Sequence, residues 1–365
     1  MGEVVVQPWL LRLSLWIMLA TFVALAATIA LARVTRRRRE RAVARRVGPL
    51  RADVLALVSG EDDGDSGTRL GALKGASVDL VAPVLIGYLS KIRGAPAERI
   101  VDVLVAHGLV RRARAGVTSW SGTRRARSVW TLGVMHVEEA VADVVPRLQD
   151  RDRAVAVTTA RSLGMLGDAA AAEALLAAVA PGRRGRGELP VWVVVEALVG
   201  LGSPAADTIG RALVDDDAST RAVAAMSIGR AQHLSQRSRL RDLVTHEEDP
   251  TVLAALAEAL GGLGDPADTV TLTELTAHAH PRSVRLAAVR ALGDLADSRA
   301  ITALGVLLAD TDPRVGELSA DVLVGLGPAG LSEVQSHVAG DGDAAAAADY
   351  GLAMHSLRQS AGRTG

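Results

Sequence analysis

Few residues of this chain are spaced for chemistry. Gly325-Leu-Gly-Pro-Ala-Gly330 has the G-x-G-x-x-G spacing that lets backbone approach a pyrophosphate. That chemistry needs a strand before the first glycine and a helix opening at the last. Here a similar glycine phrase recurs at 261–264, so the run reads as repeat grammar. His278-Ala-His280 offers two imidazoles, but zinc needs further ligands and none is evident. The other histidines, His107, His136, His233, His246, His337 and His355, are scattered, and none stands in an H-E-x-x-H spacing. Cysteine is absent, which excludes disulfides, thiolate metal sites and cysteine nucleophiles. No serine lies in a G-x-S-x-G turn. In the acidic loop 59–67, a calcium loop counted from Asp63 would close at Lys74, which is no ligand. The expectation is no catalytic residue, no cofactor, no metal and no enzyme.

What does stand out is arginine. Leu13–Ala32 is twenty residues without a charge, which as a helix covers roughly 30 Å, the thickness of a bilayer's hydrocarbon core. Arg33, Arg36, Arg37, Arg38, Arg39, Arg41, Arg45 and Arg46 follow it. Basic residues stay on the cytoplasmic side, so a single span with its amino terminus outside is expected, the collar lying on anionic headgroups. A cleaved signal peptide would carry its charge before the apolar stretch. The collar also hides behind a net charge of zero: residues 33–51 hold nine arginines against Glu40, so the rest of the chain is mildly acidic. A second cluster, Arg183, Arg184 and Arg186 in Pro181–Gly187, is a candidate contact for phosphate, lipid headgroup or an acidic partner.

The elements behind these groups come from a repeated phrase. Arg161-Ser-Leu-Gly-Met-Leu-Gly-Asp168 returns as Ala259-Leu-Gly-Gly-Leu-Gly-Asp265 and as Ala291-Leu-Gly-Asp-Leu-Ala-Asp297. Its glycine-equivalent positions, Gly133, Gly164, Val199, Gly229, Gly261, Gly293 and Val324, recur every 30 to 35 residues. That period means stacked two-helix units, each unable to bury its apolar face alone. Apolar residues make up 49% of the chain and aromatics 2%, which suits close packing of small aliphatic helices. In residues 280–310, Pro281 opens a helix with an apolar stripe at Val284, Ala287, Ala288, Ala291 and Leu292. Gly293 and Asp294 are expected to loosen its end, and Asp297 to cap the second helix. Second helices are expected near 138–149, 169–180, 204–215, 235–245, 266–277, 298–309 and 329–339, mostly Ala, Leu and Val with few charges. Residues 77–92 and 97–115 carry two further helical patterns, the second with Ile100, Val103, Leu104 and His107 at helical spacing.

The Asp-Pro-x-Val start at 312–315, the Ala-Leu-Gly-x-Leu-Gly-Asp turn and the trailing leucines resemble bacterial HEAT-like repeats, the type also seen in phycobilisome-lyase-like proteins. The resemblance implies an all-α fold, a HEAT-like α-solenoid behind a single amino-terminal transmembrane helix. Its expected divisions are an anchor at 1–34, a basic collar and acidic linker at 35–76, a helical cap at 77–120, about seven repeats at 121–340, and a cap helix with tail at 341–365. Arg99–Leu109 followed by Trp120, Arg124 and Arg127 looks like the lead-in to the repeats in membrane-anchored members of this group. These look like accessory subunits, in some cases of membrane glycosyltransferases or envelope-polymer machinery. The reading is therefore a non-catalytic scaffold in the inner membrane, its repeat domain cytoplasmic. It would bind a membrane-associated enzyme as protein partner, with membrane lipid and no nucleic acid as further contacts. A regulator that binds a small anionic ligand or lipid headgroup through the arginine-rich segments is the alternative.

Overall fold

The abundance of alanine and leucine, both strong helix formers, makes helix the default here, and every regular element described is helical. The computed structural model describes residues 16–34, 50–59, 65–179 and 189–362. They divide into two units, Met1–Leu109 and Val110–Gly365.

The first unit holds α1 (Trp16–Val34), α2 (Arg51–Ser59), α3 (Asp65–Gly71), α4 (Ala76–Leu89) and α5 (Ala95–Ala106). Among the described residues α1 alone is a continuous helix long and apolar enough to cross a membrane, and all its residues are exposed. Leu57, Leu70, Leu85, Ile100 and Leu104 form the core of α2 to α5, and Arg69 pairs with Asp53 at 2.6 Å. The single helix expected over 97–115 is two: α5 ends at Ala106, Gly108 turns through φ 68°, and α6 (Leu109–Gly116) starts afresh. A glycine can take that left-handed turn without a Cβ penalty, so the break falls there.

In the second unit the first helices of successive repeats are α7 (Gly122–Val134), α9 (Arg153–Leu166), α11 (Val191–Gly200), α13 (Ala218–Ala231), α15 (Pro250–Leu263), α17 (Arg282–Leu295) and α19 (Pro313–Gly325). Asp152, Asp217, Asp249 and Asp312 cap four of them by accepting backbone N–H groups, each worth about 1 kcal/mol. The partners are shorter: α8 (Val141–Val144), α10 (Ala171–Ala177), α12 (Ala206–Arg211), α14 (Arg237–Val244), α16 (Thr269–Glu274), α18 (Ile301–Leu307) and α20 (Pro328–His337). Most open with a 3₁₀ turn, and these segments lie where the repeat phrase places second helices. Asp265 and Asp297 hold two of those turns by accepting from Ala267 N and Arg299 N, which is the cap expected of Asp297. α21 (Asp343–Gly362) packs on α19 and α20 at the end.

The repeat glycine does not loosen the helix end: α17 runs through Gly293 and Asp294 to Leu295. It is a packing notch instead. A Cβ on Gly133 would stand 2.8 Å from Ser162 Cα, on Gly164 2.8 Å from Ala197 Cα, on Gly229 2.7 Å from Ala259 Cα and on Gly261 2.6 Å from Ala291 Cα. At Gly293 the neighbour is the Val322 side chain at 3.0 Å. At four of these five glycines the first helix thus lies backbone-close to the next, at the residue two before the next unit's own notch position. In α11 Val199 fills the notch position; Gly200 faces back onto α9, where its Cβ would stand 2.8 Å from the Gly164 carbonyl oxygen, so it serves the α9–α11 approach.

Candidate functional site

Of the expected site residues, Arg33 lies in the last turn of α1 and is exposed. Arg36, Arg37, Arg38, Arg39, Arg41, Arg45 and Arg46, and Arg183, Arg184 and Arg186, lie outside the described residues. Gly325 ends α19, Gly327 turns through φ 88°, and Gly330 packs on the Leu323 carbonyl, so the G-x-G-x-x-G run joins two repeat helices. His278 Nδ1 is 3.6 Å from Asp310 Oδ2, and no group of three acidic or histidine side chains among the described residues is placed to hold a metal ion.

Three repeats carry a buried clamp. Arg125, Arg221 and Arg285, each four residues after the residue preceding its helix, form two-point pairs with Asp150, Glu247 and Asp310, at 2.6–2.8, 2.8–2.9 and 2.8–3.0 Å. Each arginine also donates to carbonyls just before its helix, such as His280 O. Each acid accepts the backbone N–H two residues on. Donation from Arg221 chiefly holds the Glu247 carboxyl below its ordinary range. For Asp150, burial pushes upward, but donation by Arg125 and the Asp152 N–H leaves it lowered. These clamps fix the first helix of one repeat to the start of the next.

The second helices differ from the apolar surface expected of them. Across repeats one position is buried and small, as in Ala140, Ala171, Ala205 and Ala300, yet two repeats place Gln236 and Asp268 there. Gln236 Nε2 donates to Asp207 at 3.0 Å, and its Oε1 accepts from Arg239 at 2.9 Å. Arg241 Nε donates to Asp268, while Arg237 and Arg241 converge on Asp265 Oδ2, both at 2.9 Å. Asp297 accepts from Thr269 at 2.7 Å, and Arg299 reaches back to Pro266 O. A polar seam therefore joins four repeats. Donation from Arg299, then Thr269, holds the Asp297 carboxyl far below the ordinary range, and the Asp268 bond raises Arg241. His233, buried before α14, is lowered by burial. The second-helix segments of the same four repeats also carry exposed apolar side chains, Val214, Leu234, Val270 (63% exposed) and Val306 (70%). Toward the amino-terminal side Glu173, Thr208, Arg211, Asp215 and Thr220 line an open groove of about 390 Å³. Aligning the repeats by period would have exposed Gln236 and Asp268 as polar residues in a small buried position.

Stacked two-helix units with capped first helices and a glycine notch define a helical-repeat scaffold for protein interaction. A family model for HEAT repeats matches residues 206–286, and one for PBS lyase HEAT-like repeats matches 155–180 and 284–310. These matches show that the chain contains HEAT repeats, within residues 155–310. Among solved structures it is similar to human deoxyhypusine hydroxylase in complex with glycerol, at 17% identity over 77% of this chain and 96% of that chain, TM-score 0.30. The complex of CpcE and CpcF of phycocyanin lyase from Nostoc matches at 20% identity over 65% and 91%, TM-score 0.29. The karyopherin Kap121p bound to the SUMO protease Ulp1p matches at 12% identity, TM-score 0.49; the match takes in 80% of this chain but 38% of that one. None carries an activity or a partner over to this chain. No curated protein sequence matches it.

Proposed function

We propose that the protein is a membrane-tethered adaptor that holds a protein partner on the second-helix face of its HEAT repeats. α1 is the anchor, the repeats face the cytoplasm of a bacterial cell, and the partner is a membrane enzyme, of the class that builds envelope polysaccharide. The observation that carries this reading is the exposed apolar set Val214, Leu234, Val270 and Val306, on the four repeats that the ion-paired seam joins. Apolar side chains held out from a fixed frame are what a partner helix buries at an interface. A 19-residue apolar helix exposed along its whole length supports the tether, and the arginines that follow it support a cytoplasmic repeat domain. A non-catalytic role is favoured by four titrating groups in and beside the seam: Asp265 and Asp297 are driven further toward the charged form, Arg241 likewise, and His233 toward the neutral one.

The test is Val270→Asp with Val306→Asp in the full chain at native expression. Both residues are exposed, so helix content and melting are expected to stay as they are, while co-purification of the membrane enzyme is lost. Retention of the enzyme by this variant contradicts the assigned face.

A further inference from the structure

We propose that the leading edge of the repeat unit is itself a docking site for an anionic lipid surface, built by Trp120 with Arg111, Arg124 and Arg127. Residues 110–127 contain six arginines and no acidic residue. Two of the six serve the fold. Arg114 pairs with Asp143 at 2.6 Å, and Arg125 pairs with Asp150. Arg125 also donates to the carbonyls of Ser119 and Trp120, at 2.9 and 3.1 Å. Those two bonds hold the turn between α6 and α7 in the shape that leaves the Trp120 indole 95% exposed.

The flanking helices add charge to that turn. α6 buries Ala113, Val117 just after it is buried too, and α7 buries Val129 and Leu132, leaving Arg111, Arg124 and Arg127 exposed. Among the described residues none of these three has an acidic partner. Arg124 sits at the carboxyl end of α6: a Cβ on Gly116 would lie 3.9 Å from its Nε. Asp152 stands beside Gly122, where its Oδ1 caps α9, while Glu138 and Glu139 follow the far end of α7, a helix of 13 residues, roughly 20 Å from the turn.

A lone, nearly fully exposed indole on an edge that also carries three exposed guanidinium groups without acidic partners suits a bilayer interface. Indole settles at headgroup depth, guanidinium pairs with phosphate oxygens, and basic residues gain from the negative surface potential. A nucleic-acid surface would call for several aromatic stacking platforms, and this edge has one. The inference rests on the membrane reading in one respect, that α1 keeps the unit near a bilayer.

The chain has no cysteine, so Thr118→Cys carries a single environment-sensitive dye beside the patch, with Thr302→Cys on α18 as control. The full chain is reconstituted in phosphatidylcholine vesicles with or without phosphatidylglycerol. The expected result is a blue-shifted dye at position 118 that headgroup-level quenchers reach, in anionic vesicles only, and a water-like dye at 302. Arg111→Gln, Arg124→Gln and Arg127→Gln together are expected to lower the docked-to-free ratio on the order of a hundredfold, and Trp120→Ala to weaken docking with helix content unchanged. Flotation after carbonate washing reads the anchor separately: loss of flotation with a persistent signal at 118 defeats the tether and supports the patch. A water-like dye at 118 on anionic vesicles, with the chain inserted, overturns the proposal. So does a response at 118 that appears only when RNA or a protein extract is added.

Discussion

Gly261→Ala tests the stacking geometry most sharply. Alanine is the better helix former, by about 1 kcal/mol over glycine in a helix interior, so propensity alone makes this substitution stabilising. Packing opposes it. The new Cβ would stand 2.6 Å from Ala291 Cα, 2.7 Å from its Cβ and 3.1 Å from its carbonyl oxygen. The first of these is backbone, so α15 and α17 have to move apart. Overpacking of this kind costs about 1–3 kcal/mol, which leaves a net loss of up to about 2 kcal/mol. The neighbouring position is the control. A Cβ on Gly262 would meet nothing nearer than the Gly229 carbonyl oxygen at 3.6 Å, so Gly262→Ala keeps the propensity gain. Ala291→Gly added to Gly261→Ala relieves the side-chain overlap but leaves the backbone of α17 in the way, so it rescues in part. The assay is urea unfolding followed by helix content, with hydrogen exchange on α15 and α17 to localise the effect, because repeat arrays need not unfold as one. Equal stability of the two single variants would refute the notch.

Four further outcomes follow from the same geometry. Arg285→Met leaves Asp310, fully buried, without its two-point partner and is expected to lower stability by about 3 kcal/mol, read from the urea midpoint. Glu247 and Asp265 have folded values below their ordinary ones, so their stabilisation is complete above the unfolded carboxylate range and is lost as pH falls below about 4.5. Glu247→Gln is expected to flatten that acid limb in midpoints measured from pH 6 to pH 3. His233 is lowered by burial, so the unfolded state binds its proton first and stability falls as pH drops through about 6.5; His233→Phe is expected to remove that step. For topology, a single cysteine at Thr302 is expected to resist a membrane-impermeant maleimide in intact cells and to react once they are opened, whereas one at Val5 reacts in both.

The period was legible because each repeat must present the same apolar stripe to the same neighbour. Val284, Ala287, Ala288, Ala291 and Leu292 are all buried in α17, and the cap at Asp297 follows from an aspartate beside free N–H groups. The notch was not legible, because propensity marks glycine as a helix ender and only the facing backbone of Ala291 or Ala197 shows why it sits mid-helix. The break at Gly108 was hidden for the opposite reason: the helical spacing of Ile100, Val103, Leu104 and His107 runs right up to the turning glycine and gives no sign of a stop. The polar seam escaped a reading by composition. Arg237 and Arg241 look like a solvated charge run until Asp265 and Asp268, some 25 to 30 residues away, are brought against them, and Arg239 until it is seen to bond Gln236, which in turn donates to Asp207. Trp120 is a case where sequence marked the residue and the fold supplied its exposure.

The adaptor reading is tested most directly by crosslinking in the membrane. A photoreactive residue is placed at Val270 or Val306 on the second-helix face, and at Glu258 on the first-helix face as reference, in the full chain at native expression. The account predicts that one dominant membrane enzyme is captured from positions 270 and 306 and not from 258. Capture from 258 alone, or equal background at all three, would contradict it.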